Sequence, residues 1–243
     1  MLNSNNLCAY QNDSSYGNQE ENNFADNTSQ ISDISAVVVN HNGIKIYCLT
    51  IIGQIEGHYL LSAQTKTTKY EHIIPRLISV QEDDSIAGLL LLLNTVGGDI
   101  EAGLAIAEVI AGMTKPTVSL VIGGGHSIGI PLAVAAKQSF IAQSATMTVH
   151  PVRTTGTTVG VSQSFDYFRK MQDRITTFVS EHSNISNEDY LNLVLNTEEL
   201  VMDIGTVLEG KEAVDVGLID SVGTISDAIN NLVSQIESQK SGS

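Results

Sequence analysis

Tryptophan is absent from this 243-residue chain and aromatic residues make up only 5% of it, so whatever core it forms must be aliphatic. Cysteine is nearly as scarce. Cys8 and Cys48 alone make no disulfide framework and fit a reducing compartment. Basic residues are few, 12 Lys and Arg against 27 Asp and Glu, for a net charge of −15. Nucleic acid and anionic membrane surfaces both call for clustered positive charge, so neither is expected as the main partner. Long apolar runs are missing too. The longest aliphatic stretch, Ile86–Leu93, is far too short to span a bilayer, and the N-terminus lacks the basic-then-apolar profile of a secretory signal. The expectation is a cytoplasmic protein without membrane insertion. At 42% hydrophobic content the chain can bury one substantial core.

Residues 1–35 carry five acidic residues, no Lys or Arg, and much Asn, Ser and Gln. Such a segment buries too little apolar surface to offset its ordering entropy, so residues 1–35 are expected to be a disordered tail and residues 36–238 one domain. From Ala36 two short β-rich runs, AVVVN and IKIYCLTII, flank Asn42-Gly43, a turn signal, and Gly53 to His58 ends the pair. Residues 59–70 read as a Thr-rich loop and Glu71–Gln81 as a helix with Ile73, Ile74, Leu77 and Ile78 at helical spacing. AGLLLLLN is a continuous aliphatic run, as a strand buried on both faces requires.

Two consecutive units then share one layout of buried strand, Gly-rich turn and helix. In the first, AGLLLLLN leads to Asn94–Asp99 and a helix carrying Ala102, Ile106, Val109 and Ile110, which stops near Pro116. In the second, Val118–Ile122 leads to three glycines, Ser127 and an Ile/Ala/Val helix. Parallel strands with crossover helices place such turns side by side at the carboxyl edge of a sheet. Further on come a short strand at 145–149 running into His150-Pro151, and a Thr/Gly-rich arm at 153–161. An amphipathic helix follows at Ser162–His182, which either covers the core or serves as an oligomerisation handle. A helix capped by Ser186, a turn at 203–206, a short helix and strand over 210–220 and a C-terminal amphipathic helix from Ile225 complete the chain.

Gly125-His126-Ser127-Ile128-Gly129 satisfies G-x-S-x-G, in which glycines flank a serine exposed at a tight turn. Acyl transfer needs a nucleophile, a base, an orienter for the base and donors for the oxyanion. Ser127 supplies the first. His150, at a strand end fixed by Pro151, is the best base of the six histidines. The Gly97-Gly98 turn and the N–H of Ile128 are candidate oxyanion donors, each typically worth about 3 kcal/mol in the transition state. An α/β-hydrolase would run Ser, acid, His, whereas here the candidate acids follow the histidine. No His/Cys/acid cluster has zinc-ligand spacing, so no metal is expected. A crotonase-type acyl-CoA enzyme is a further alternative, although it would not need Ser127 poised beside His150.

The segments CLTIIGQIEGH, LLLLNTVGGDIEAGLAIAEVI, VIGGGHSIGIPLAVAA, ATMTVHPVR and GKEAVDVGLID resemble, in order, those of the Clp-protease proteolytic subunit (ClpP) family, and more narrowly its translocation-enhancing TepA branch. The resemblance covers roughly residues 44–236. It implies an α/β crotonase-like fold of repeated strand-turn-helix units with a projecting handle helix at 162–182. It further implies a serine peptidase with a Ser-His-Asp triad, whose subunits form two stacked rings around the active sites. Ser127 and His150 match the family's nucleophile and base, and Gly98 and Ile128 its oxyanion donors. Polypeptide would be the substrate, and an ATP-driven unfoldase a partner. The nucleotide would belong to that partner, because this chain has no Gly-x-x-x-x-Gly-Lys-Ser/Thr loop, and no cofactor is expected. The family's acid falls eight residues before Ala213, on Gly205; Asp203, two residues away, is the candidate acid, and Thr206 an alternative orienter. A chain whose triad is impaired would instead be a ring-fold scaffold assisting protein export.

Overall fold

The structure is a computed structural model that describes residues 35–153, 160–197 and 204–241. The tail expected at 1–35 falls almost wholly outside the described residues, as do Asp203 and most of the arm at 153–161.

The described chain is a mixed α/β fold around a nine-stranded sheet. β1 (Ala36–His41) turns through Asn42-Gly43 into β2 (Ile44–Glu56), its antiparallel partner. β2 does not stop at Gly53. It kinks there, with a break in register against its neighbour between Gly53 and Gln54, and continues to Glu56. Gly53 has φ of +79°, and a Cβ on it would lie 2.2 Å from the carbonyl oxygen of Lys66, so only glycine fits this bulge. The Thr-rich segment expected as a loop contains β3 (Thr67–Lys69), parallel to the last residues of β2 and tied to it by Lys69 on the buried Glu56 carboxylate. α1 (Tyr70–Glu82) follows.

β4 (Gly88–Gly98) is central, flanked by β2 and β5 (Thr117–Gly125), both parallel to it. Its leucine run alternates between two cores. Leu89, Leu91 and Leu93 enter one cluster with Leu77 of α1 and Ile106 and Ile110 of α2 (Ile100–Ala111). Leu90 enters the other, with Leu232 and Ile236 of α7 (Ile225–Ser241). A strand covered on both faces has no polar side to show, which is why its sequence lacks alternation. Each such leucine contributes about 1.5–3 kcal/mol by leaving water. At the opposite end, Lys115 donates from Nζ to the carbonyls of Val80, Asp83 and Ile86, fastening the loops that enter β4 and β5.

The rest of the fold frames the carboxyl edge. α3 (Gly129–Val134) follows Ser127, and β6 (Gln138–Ile141) adds to the sheet beside β5. β7 (Thr146–Val149) pairs antiparallel with β8 (Thr206–Glu209), so the stretch expected as a turn at 203–206 ends in a strand. α4 (Val161–Glu181) buries Ile175, Phe178 and Val179 in its second half, while Phe165 and Tyr167 in its first half are exposed. α5 (Asn187–Val194) is capped by Ser186, whose hydroxyl accepts from Asp189 N–H at 3.0 Å. α6 (Gly210–Asp215) and β9 (Ser221–Val222) lead to α7. Among the described residues no helix is long and apolar enough to cross a membrane.

Candidate active site

The glycine-rich segments of β4 and β5 are not turns. Both remain strand through Gly98 and Gly125, and the chain reverses only over His126-Ser127-Ile128. The glycines are there for close approach. A Cβ on Gly97 would lie 2.7 Å from Cβ of Ser127 and 2.9 Å from the carbonyl oxygen of His126. β4 therefore runs directly against the serine turn. Ser127 itself has φ of +56°, a left-handed conformation costing roughly 1–3 kcal/mol for a residue with a Cβ. Its neighbours hold it there: Ser127 N–H donates to Thr148 O at 2.9 Å, and its carbonyl accepts from Ile130 N–H at 3.0 Å.

Around this turn every N–H but one is used. Ser127, Gly129 and Ile130 donate to backbone carbonyls, whereas Ile128 N–H has no hydrogen-bond partner among the described residues. On β4, Asp99 N–H donates to Ile55 O and Gly97 N–H to Thr95 Oγ1. Successive N–H groups of a strand alternate in direction, so that of Gly98 turns away from β2 toward the cleft it lines. Asp99 then caps α2, its carboxylate accepting from Ala102 N–H at 2.9 Å.

Gly98, Ser127, Ile128 and His150 line one cleft of about 180 Å³. Ile100, Ile130, Val152 and Ile175 form its aliphatic wall, and Tyr190 and Arg153 add polar groups. His150 Nδ1 lies 2.7 Å from Pro151 O. A carbonyl can only accept, so Nδ1 carries a hydrogen, and Nε2 is the nitrogen that takes up a proton when the ring is neutral. Ser127 Oγ makes no hydrogen bond among the described residues, so the candidate nucleophile and the candidate base share the cleft without being joined. The missing contact is common in sites without substrate.

The two orienters expected for His150 fare differently. Thr206 is committed elsewhere, donating to Leu193 O at 2.8 Å. Asp203 lies outside the described residues. Gly205 does stand beside the base, yet a Cβ there would lie 2.3 Å from Val149 O and 3.0 Å from both Cα and Cβ of His150. The position that the resemblance assigns to the acid is thus occupied by a residue with neither a side chain nor room for one.

Three participants in this site were not singled out from sequence. The carbonyl of Pro151 is one, and a backbone oxygen leaves no trace in residue type. Tyr190 is the second. It is 2% exposed, burial pushes its phenol up, and among the described residues its hydroxyl makes no hydrogen bond. No fully buried side-chain polar atom there lacks a partner, so the hydroxyl is open to the cleft. His126, the first variable residue of the G-x-S-x-G motif, is the third. Its Nδ1 accepts from Thr148 N–H at 3.1 Å and meets Thr148 Oγ1 at 2.9 Å. Burial, and then the charge of His150, hold its pKa below the ordinary value. Among the described residues no three His, Cys, Asp or Glu side chains gather as a metal site requires.

Comparison with known proteins places the chain in a family. The Clp protease family model matches residues 45–226. A protein of Halalkalibacterium halodurans, "Translocation-enhancing protein TepA", is 57% identical over 195 residues, covering 80% of this chain and 76% of that one. "Putative protease MJ0651" of Methanocaldococcus jannaschii is 25% identical over 202 residues, covering 73% of this chain and 64% of that one. The family match takes in the serine turn, the histidine that ends β7 and both glycine strands, so the chain belongs to the Clp protease family, and its similarity is to the translocation-enhancing branch.

Proposed function

We propose that the chain is a serine endopeptidase that cleaves peptides or unfolded polypeptide. Ser127 Oγ attacks the scissile carbonyl carbon and His150 Nε2 takes its proton. The N–H groups of Gly98 and Ile128 receive the oxyanion. Protonated His150 then delivers its proton to the leaving amine, and water hydrolyses the acyl-serine with the same base. The observation that carries this reading is the unclaimed N–H of Ile128 beside a serine held in the left-handed conformation, in a cleft shared with His150. An oxyanion donor must be both fixed and free, and loss of one costs about 10²–10³ in rate.

Pro151 O fixes the tautomer that the acid fixes in a Ser-His-Asp triad. Asp203 is assigned the lesser part of stabilising the imidazolium. A cleft of about 180 Å³ with an aliphatic wall accommodates one apolar side chain rather than a folded surface, which favours extended polypeptide as substrate. The exposed Phe165 and Tyr167 on the first half of α4 support meeting of this helix with another copy, as in a stacked-ring homo-oligomer. Delivery of substrate by an ATP-driven unfoldase, and action in the cytoplasm, where the free thiol of Cys48 remains reduced, complete the proposal. The name of the Halalkalibacterium relative supports a link to preprotein export.

A second reading is a catalytically impaired scaffold assisting translocation. Gly205 beside His150 favours it. Fluorophosphonate labelling of the purified chain and of Ser127→Ala decides between them. Labelling confined to Ser127 is expected; an assembled protein that does not label would sink the peptidase and leave the scaffold.

A further inference from the structure

His126 precedes the nucleophile, and it is bonded on more sides than a turn residue needs to be. Its N–H donates to Thr95 O on β4 at 3.1 Å, and its carbonyl accepts from Gly129 N–H at 2.9 Å. Its ring reaches Thr148 on β7 through Nδ1, while Thr148 O takes the N–H of Ser127. One residue thus ties together the strand that ends in Gly98, the serine turn and the strand that leads to His150. Space for the ring is reserved: a Cβ on Gly124 would lie 2.5 Å from His126 Nε2.

Because the N–H of Thr148 can only donate, Nδ1 of His126 must be bare, and the ring is neutral with its hydrogen on Nε2. We propose that His126 is a positioning residue whose Nδ1 clamps the nucleophile turn to β7, holding Ser127 in register with His150 and opening when the ring is protonated. A proton on Nδ1 would face the N–H of Thr148 donor to donor and leave only Thr148 Oγ1 to accept it, so the bond to the backbone of β7 is the one that opens. The depressed pKa of His126 agrees with a clamp that stays closed near neutrality. The residues it touches on β4, β5 and β7, namely Thr95, Gly124 and Thr148, do not titrate. The charge that faces it is that of His150, which disfavours protonation of the His126 ring.

This inference rests on Ser127 being the nucleophile, so the test reads the clamp and the chemistry separately. Amide hydrogen exchange at residues 127–130 and 148 is followed at pH 7.5 and 5, corrected for intrinsic rates, alongside fluorophosphonate labelling. The full chain is compared with His126→Ala and His126→Asn. Asparagine places an acceptor oxygen at the δ position but cannot titrate. The alanine variant should exchange about 10-fold faster at these amides, as loss of a buried bond implies, and should label correspondingly slower. The asparagine variant should match the parent at pH 7.5 and, unlike the parent, not loosen at pH 5. Alanine and asparagine variants that behave alike, or a parent whose exchange ignores pH, would overturn the clamp. Exchange that responds in a parent that never labels at Ser127 would overturn the nucleophile, and with it the clamp's catalytic purpose.

Discussion

Gly205 faces His150 so closely that a methyl group on it would press on the histidine's own Cα and Cβ. β7 and β8 pair Val149 with Thr206, and continuing that antiparallel register brings residue 205 opposite His150. A carboxylate reintroduced there would have to displace the backbone of β7 first.

Gly205→Asp should therefore fail to build a triad. With φ of +136° and a Cβ 2.3 Å from Val149 O, the variant pays for both strain and overlap. A loss of about 2–4 kcal/mol is expected from backbone strain and overpacking together, read as a lowered urea midpoint with no gain in labelling rate. Faster labelling at unchanged stability would refute this account of the position.

Asp203→Asn should slow labelling of Ser127 by less than about 10-fold, against roughly 10⁴-fold where the acid alone sets the tautomer. Pro151 O already holds the Nδ1 hydrogen of His150. A loss near the larger figure would return the orienting role to Asp203.

Acid should weaken the fold partly through His126. Its folded pKa lies below the ordinary value of 6.5, so the unfolded chain binds the proton more readily. The stabilisation is complete above about pH 6.5 and declines as pH falls through the lower folded value. Urea midpoints between pH 7.5 and 5 should fall more steeply for the parent than for His126→Asn. Parallel curves would show that this ring does not couple to folding.

Tyr190→Phe removes the hydroxyl that opens on the cleft without altering its aliphatic wall. Peptides with a polar-tipped side chain at the cleaved bond should lose kcat/KM by about 10-fold, consistent with one hydrogen bond in a desolvated site, while purely aliphatic ones should be unaffected or improved. The profile over such a peptide series is the measurement, and equal losses for all would count against Tyr190 as a discriminator.

Much of this was visible in residue order because composition and spacing report burial and turns well. The leucines of β4 announced a strand covered on both faces, and the G-x-S-x-G serine with the histidine before Pro151 pointed to one cleft. What stayed hidden depends on distances between elements. Gly53 signalled an ending, but the chain used it for a bulge, since the same freedom of φ serves either. The strand at 67–69 is too short and polar to show alternation, and pairing with β2 alone creates it. Likewise Thr206 offers a hydroxyl on paper, and only the fold shows it given to Leu193.

The contact between Gly97 and Ser127 bears on how such a site can diverge. The serine turn and β4 meet at bare-backbone distance, so under the proposed peptidase reading the chemistry is built as one unit, and a side chain at Gly97 has no room. The wall of the cleft comes from other segments: Val152 after β7, Ile175 on α4 and Tyr190 on α5. Substitutions there can retune what is accepted while the reactive unit is left alone. On the proposed reading, reactivity and selectivity are thus separately heritable, and a lineage can change its diet without relearning its chemistry.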